Sequence, residues 1–486
     1  MNRNIRIVGV AVLGMFLALF ISTTTIQVFQ VNNLANGPEN RRSQLADYEI
    51  ERGPILIDGT PIASSNPVNN MYRYQRSYAN GPLYSAVTGY YTYTQGSTGI
   101  EDAMNAELSG KSDSQFFAGL NRLFTGQTPA GAAVELTINA NAQQVAYDAL
   151  GDLRGSVVAF DPATGAIIAM VSTPGYDPNG LSGPDQEQVL DTYNQLLADP
   201  NGPLQNRAIG GDMNPPGSVF KLVIAAAALE EGIATPDSPL ENPATWTLPG
   251  STAVVNNPSH GSPCGSGETT NLRIAIEQSC NIPFAQLAVQ LGDDKIRAMA
   301  EKLGFGHEFK VPMTASASIY PDGPLDDAQT GLTGFGQFDV RATPLQMALV
   351  SGAIANGGVV MNPTLVESVL TPDLRELQGQ QVSEFGRAFS AETASALESM
   401  MIGSVSSGVA SNARIDGVDV AGKTGTAENG DDEPYSLWFT GFVATDTTHI
   451  AVAVVLEDGG GMGQSGTGNG SAATIGQQVM KAVLDG

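Results

Sequence analysis

Histidine is the scarcest of the common catalytic residues here: His260, His307 and His449 are all that 486 residues contain. None stands beside a serine and an acid, and no two are spaced as paired metal ligands. A Ser-His-Asp triad and an H-E-x-x-H zinc site therefore find no support. No cluster of metal ligands is visible elsewhere, and neither a metal nor a cofactor is expected. Basic residues are also few, 23 Lys and Arg against 49 Asp and Glu, giving a formal charge of -26 and a pI near 4.3. Such a chain lacks the basic face that a nucleic-acid partner requires. The excess acid suits solubility in a salty or wall-rich milieu better than it suits a metal site.

Cysteine occurs twice, as Cys264 and Cys280. In an oxidising compartment a pair sixteen positions apart can bridge, and a loop of that size is worth about 3 kcal/mol through chain entropy. The alternative is two buried free thiols. A long hydrophobic run occurs only at the N-terminus, where Ile7 to Ile21 carries no polar side chain and continues through hydroxyl residues to Ile26, Val28 and Phe29. That is long enough to span a bilayer. Arg3 and Arg6 precede it with no acid nearby, which predicts residues 1–6 in the cytoplasm, 7–29 as an anchor and the bulk outside. A cleaved signal peptide is the rival reading, but no clear Ala-x-Ala site follows the run.

What is present is 42% hydrophobic residues in a length that supports two or three domains. Ser218 and Lys221, in Asn214-Pro-Pro-Gly-Ser-Val-Phe-Lys221, stand three apart, and no other lysine has a serine three residues before it. Residues at that spacing share a helix face, so the amine can take the hydroxyl proton and make a nucleophile without histidine. Pro215, Pro216 and Gly217 break what precedes, which predicts Ser218 in a first helical turn whose free N-H groups favour negative charge. The following Leu222-Val-Ile-Ala-Ala-Ala-Ala-Leu-Glu-Glu-Gly232 is apolar on every face and predicts a buried helix stopped by glycine. A lysine in such a wall must find a partner or lose its proton.

Residues from Val31 to about Ala130 are polar and mixed, with turn clusters at Asn66-Pro67 and Asn80-Gly81-Pro82 and no catalytic pattern. Thr128-Pro-Ala-Gly131 reads as a loop before a strand at Val134–Ile138 and a helix near Asn141 to Leu150. Gly155–Phe160, a turn, and Ala166–Val171 form the clearest hairpin. Ser436–Val443 and His449–Leu456 are two further strands, Ala472 to Leu484 a closing helix, and the glycine-rich 459–470 a flexible loop without the Gly-Lys-Ser/Thr ending of a phosphate cradle. With its first and last strands adjacent in one sheet, the chain reads as an α+β sandwich. The division expected is 30–140 as a non-catalytic module and 141–486 as the catalytic domain.

Two motifs follow Ser218 in order. Ser279-Cys280-Asn281 comes 61 residues later, and Lys423-Thr424-Gly425-Thr426 comes 144 after that. Each alone is weak, since Ser64-Ser65-Asn66 matches the first pattern by chance. Together they resemble the Ser-x-x-Lys, Ser-x-Asn and Lys-Thr-Gly set of the penicillin-interacting serine enzymes. Glu51-Arg-Gly-Pro-Ile, Asn206-Arg207-Ala208, Gly334-Phe-Gly-Gln337, Thr343-Pro-Leu-Gln-Met-Ala348 and Ala355-Asn-Gly-Gly358 look like class B penicillin-binding proteins in particular. The similarity runs over nearly the whole length from Glu51.

The resemblance implies a penicillin-binding transpeptidase fold: an antiparallel sheet with helices on both faces and an all-helical lobe, after a pedestal or dimerisation-type module. It implies a D,D-transpeptidase of cell wall synthesis and cell division. In that reading Ser218 attacks the carbonyl between two D-alanines of a stem peptide with Lys221 as base, Ser279 relays a proton to the leaving amine, and Asn281 holds Lys221 and the substrate amide. Lys423, Thr424 and Thr426 would bind the terminal carboxylate and Gly425 would admit close approach. The N-H groups of Ser218 and Thr426 would form the oxyanion hole. Implied partners are a peptidoglycan stem pentapeptide or lipid-linked precursor, β-lactams, the membrane, and a separate glycan polymerase, since the segment before Gly155 is too short to contain one. A β-lactamase or D,D-carboxypeptidase of the same fold, and a largely scaffolding role, are the alternatives. Val219 replaces the threonine of many relatives, and Cys280 inside the middle motif is the larger departure.

Overall fold

The computed structural model describes residues 3–30, 49–69, 72–112, 115, 130–258, 261–445 and 448–486. His260 and the first two residues of the Thr128–Gly131 loop lie outside them.

A five-stranded antiparallel sheet organises the chain from Gly155 onward, in the order Ala421–Ala427, Ser436–Ala444, His449–Leu456, Gly155–Phe160, Ile167–Thr173. The expected adjacency of first and last strands is therefore present, between Gly155–Phe160 and His449–Leu456. Ser436–Ala444, His449–Leu456 and Gly155–Phe160 read as largely apolar runs because both faces are covered. Their side chains alternate accordingly. Val157, Ala159, Val452 and Val454 pack under the helices Ala140–Leu150 and Ala472–Asp485, whereas Val158, Phe160, Ala451 and Ala453 face Pro344–Ala355 and the helical lobe. At about 25 cal/mol per Å² of apolar surface, this two-sided burial is the main stabiliser of the sheet.

The lobe is built on Lys221–Glu230, flanked by Ile282–Leu291, Asp293–Lys302 and Ala391–Ser406. Residues Lys221 to Ala228 of that central helix are all buried, as its all-round apolar sequence predicts. Gly232 ends it at φ +65, a conformation glycine adopts without steric cost.

A second sheet runs Glu376–Gly379, Val366–Leu370, Ala133–Leu136, Ile55–Ile57, Thr60–Pro67, Tyr74–Tyr78. It joins the amino-terminal segment to strands from beyond residue 360, so the sheet crosses the sequence position 140. Arg52 and Arg76 both pair with the buried Glu101 beneath it. Two turn expectations differ from the structure. Asn66-Pro67 ends a strand, where Pro is tolerated, and Asn80 leads into the helix Gly81–Thr88 with Pro82 in its first turn.

The glycine-rich 459–470 also departs from the loose loop expected. It folds into two 3-10 turns, Asp458–Gly461 and Gly463–Ser465. Gly459 donates to the Tyr435 carbonyl at 2.7 Å, and Gly468 lies so close to the Lys423–Thr426 strand that a Cβ would fall 2.3 Å from the Gly425 carbonyl oxygen. Glycine is used here for close approach.

At the amino end, the helix Arg3–Thr24 continues into a π-turn, Thr25–Phe29. Its span Ile5–Val28, 24 residues with a mean hydropathy of 2.4, is long and apolar enough to cross a membrane and is nowhere buried against the rest of the protein.

Candidate active site

Ser218 lies in a short 3-10 turn, Gly217–Phe220, and Lys221 opens the α-helix that follows. The serine is thus one turn earlier than a residue inside the α-helix would be. Pro215 and Pro216 have no N-H to give, and Gly217 takes φ +54, so the chain enters the helix through a tighter turn. Gly217 donates to the Gly336 carbonyl at 3.0 Å. Gly336 sits at φ +72, and a Cβ there would lie 2.1 Å from the Gly217 carbonyl oxygen. The Gly334–Gln337 segment therefore supports the turn that carries Ser218.

Lys221 is completely buried. Its Nζ donates to the Ser279 carbonyl at 2.6 Å and to Asn281 Oδ1 at 2.8 Å. It stands 2.9 Å from Ser218 Oγ and 3.4 Å from Ser279 Oγ. Burial lowers its pKa well below the ordinary lysine value, and the neighbouring Lys423 lowers it further. A neutral amine has two N-H bonds and one lone pair. Two partners, the Ser279 carbonyl and Asn281 Oδ1, can only accept. They take the two N-H bonds and leave the lone pair for the Ser218 hydroxyl proton, which is the arrangement a general base needs.

Ser279 occupies the turn between Leu272–Glu277 and Ile282–Leu291 with φ +57, a strained conformation for serine. Its hydroxyl lies 2.7 Å from Lys423 Nζ, so it bridges the two lysines. Lys423, also fully buried, donates to the Thr424 carbonyl at 2.9 Å, and burial lowers its pKa to about 7.

The strand Ala421–Ala427 carries the last motif beside the turn of Ser218. At Gly425 a Cβ would meet the Pro216 carbonyl at 2.9 Å and Trp438 Cβ at 3.1 Å. The missing side chain thus lets the strand pack on the serine's turn. Trp438 Nε1 donates to the Pro215 carbonyl at 2.9 Å on the same side. Thr424 is buried, while Thr426 is exposed and its Oγ1 accepts from Gly468 N at 3.3 Å. Val219 is buried against Gly425.

Cys264 and Cys280 are joined by a disulfide, Cα–Cα 5.7 Å, which ties the middle motif to the 240–270 region. Five of the motif residues, Ser218, Lys221, Ser279, Asn281 and Lys423, form one hydrogen-bonded chain. Of the described histidines, His307 packs on Phe309 and Phe385 and His449 starts a strand. Sequence reasoning missed the supports: Gly336, Trp438, and Glu457, whose carboxylate takes Arg207 Nε at 3.1 Å and Asn214 Nδ2 at 3.2 Å four residues before the serine. Arg207 and Gly336 carried a signal, since both fall in segments singled out by resemblance; Glu457 carried none.

Residues 155–481 match the penicillin binding protein transpeptidase domain, and residues 52–134 match the penicillin binding protein A dimerisation domain. The chain belongs to the penicillin-binding protein transpeptidases. Within that class it is similar along its whole length to the PbpA type. Peptidoglycan D,D-transpeptidase PbpA of Mycolicibacterium smegmatis is 40% identical over 100% of this chain and 99% of that one, and the Mycobacterium tuberculosis protein of the same name is 38% identical over 100% of both. A ceftriaxone acyl-enzyme complex of penicillin-binding protein A from M. tuberculosis matches with a TM-score of 0.86 and 39% identity, covering 90% of this chain and 100% of that one.

Proposed function

We propose that this protein is a peptidoglycan D,D-transpeptidase that works through an acyl-enzyme on Ser218 and is a target of β-lactams. The observation that carries the reading is the Lys221 amine, stripped of water and held by two obligate acceptors with Ser218 Oγ at 2.9 Å. Ser218 Oγ attacks the carbonyl between two D-alanines while its proton passes to Lys221 Nζ. The C-N bond then breaks, and the departing amine takes a proton through Ser279, which already bridges both lysines. Free D-alanine leaves. An amine of a neighbouring stem peptide attacks the ester, forms the cross-link, and returns the proton to Ser218 Oγ. Asn281 holds Lys221 and the substrate amide. Lys423, with Thr424 and Thr426, receives the terminal carboxylate, and the N-H groups of Ser218 and Thr426 face the developing oxyanion.

Residues 1–6 would be a cytoplasmic tail, 7–29 the anchor, 30–140 a pedestal or dimerisation-type module and 141–486 the transpeptidase domain, outside the membrane. The positive charge of Arg3 and Arg6 supports that orientation, as does a disulfide that suits an oxidising compartment. Glycan chains would come from a separate polymerase.

Incubating the full chain with penicillin G and mapping the adduct by peptide mass spectrometry tests the reading. One acyl group on the Ser218 peptide, persisting for many minutes, is expected. Turnover within seconds would make the protein a β-lactamase, and an adduct elsewhere would remove Ser218 from its role.

A further inference from the structure

The base geometry depends on which way the Asn281 amide faces. If Oδ1 and Nδ2 exchanged places, an N-H would meet the Lys221 amine, take its lone pair, and leave nothing to accept the Ser218 proton. The side chain of Asn281 cannot decide this alone, because its two ends are nearly the same shape. Two neighbours outside the three motifs decide it. The Asn256 carbonyl accepts from Asn281 Nδ2 at 2.8 Å, so Nδ2 is committed away from Lys221. Asn257 Oδ1 accepts from the backbone N-H of Asn281 at 3.0 Å and of Ile282 at 3.1 Å. These N-H groups open the helix Ile282–Leu291 and have no partner inside it.

Asn257 is itself held. It is 2% exposed, and its Nδ2 donates to the Ser262 carbonyl at 3.1 Å. Asn256 and Asn257 stand at the end of the hairpin Thr245–Thr247 with Val254–Asn256, so a small two-stranded element carries both contacts to the middle motif.

We propose that Asn257 is a positioning residue for catalysis: by capping Asn281 and Ile282 it seats Asn281 on the Asn256 carbonyl and so aims the Lys221 lone pair at Ser218. This rests on the acyl-enzyme reading above. Asn257 touches neither substrate nor reacting atoms. Its effect passes through Asn281, and the charged group facing Lys221 is Lys423, bridged by Ser279.

The test is the acylation rate of the full chain with a fluorescent penicillin from about pH 5 to 9, beside thermal melting. Asn257→Ala removes both acceptor contacts. Its maximal acylation rate should fall about tenfold or more, with little change in the penicillin concentration giving half that rate. The acid limb should move to higher pH as water reaching Lys221 relieves its desolvation. Asn257→Asp keeps an oxygen for both N-H groups while losing the donor to the Ser262 carbonyl and adding a charge that moves the acid limb upward. At its own optimal pH it should therefore restore the rate to within about threefold of the unmodified protein. Rates within twofold and an unmoved acid limb in Asn257→Ala would overturn the inference. So would equal losses in both variants at an unchanged pH profile, which is the mark of a merely structural residue. If the alanine variant does not fold, Asn257→Asp decides: a loss beyond tenfold at a native melting temperature refutes the positioning role. Ser218→Ala, run alongside, must abolish labelling, and labelling that survives would defeat the acyl-enzyme reading, not this one.

Discussion

Two buried amines about one hydroxyl make the reaction centre a coupled titration. Lys221 and Lys423 both meet Ser279 Oγ, so apparent pKa values will belong to the group of residues and not to one lysine. Acylation should fall toward acid as Lys221 takes a proton, and toward alkali as Lys423, at about 7 in the free protein, loses the charge that draws a carboxylate. Saturating substrate carboxylate should move the alkaline limb upward. A rate profile flat between about pH 5 and 9 would contradict this assignment. The same burial affects stability. Both lysines have lowered values, so the unfolded chain binds more protons, and the contribution of Lys423 to stability rises with pH from about 7 toward the ordinary lysine range, with Lys221 acting in the same direction. Lys423→Met should raise the melting temperature at neutral pH and flatten that part of the slope in melting scans.

The local elements that present these residues rely on close backbone approach. Gly336 combines φ +72 with a would-be Cβ 2.1 Å from the Gly217 carbonyl oxygen. Gly336→Ala should cost about 1–3 kcal/mol or more in denaturant unfolding and slow acylation, because the Gly217 N-H bond to Gly336 supports the serine's turn. Retained stability and rate together would show that the turn relaxes freely. The disulfide is a second support. Replacing Cys264 and Cys280 together by serine should lower stability by about 3 kcal/mol, measured by the same unfolding. Sequence pattern was most legible at this scale for the continuous apolar strands: the expected span His449–Leu456 is the observed one. It was least legible in the glycine-rich 459–470. Glycine composition does not distinguish a loose loop from one packed within reach of Gly425, since conformational freedom and close backbone approach both favour glycine.

For the molecule as a whole, the exposed apolar span Ile5–Val28 stands apart from two sheets sharing one buried core. The full chain should sediment with membranes and need detergent for extraction, whereas a variant lacking residues 1–30 should remain in the soluble fraction. Membrane association of the truncated form would point to a second contact. The six-stranded sheet shows why sequence division has limits. Val366–Leu370 pairs with Ala133–Leu136 across more than 200 residues, and no local pattern encodes the partner of a strand.

The sequence by itself determined which side chains could react and where the apolar span lies, because the spacing of Ser218 and Lys221 and the run from Ile7 are local properties. Only the tertiary structure decided that Lys221 can be a base. Its desolvation and its two obligate acceptors come from Ser279 and Asn281, about sixty positions away, and the second lysine comes from Lys423, farther still. Proton affinity is set by neighbours in space, and those neighbours exist only once the helices and the strand have closed around the amine.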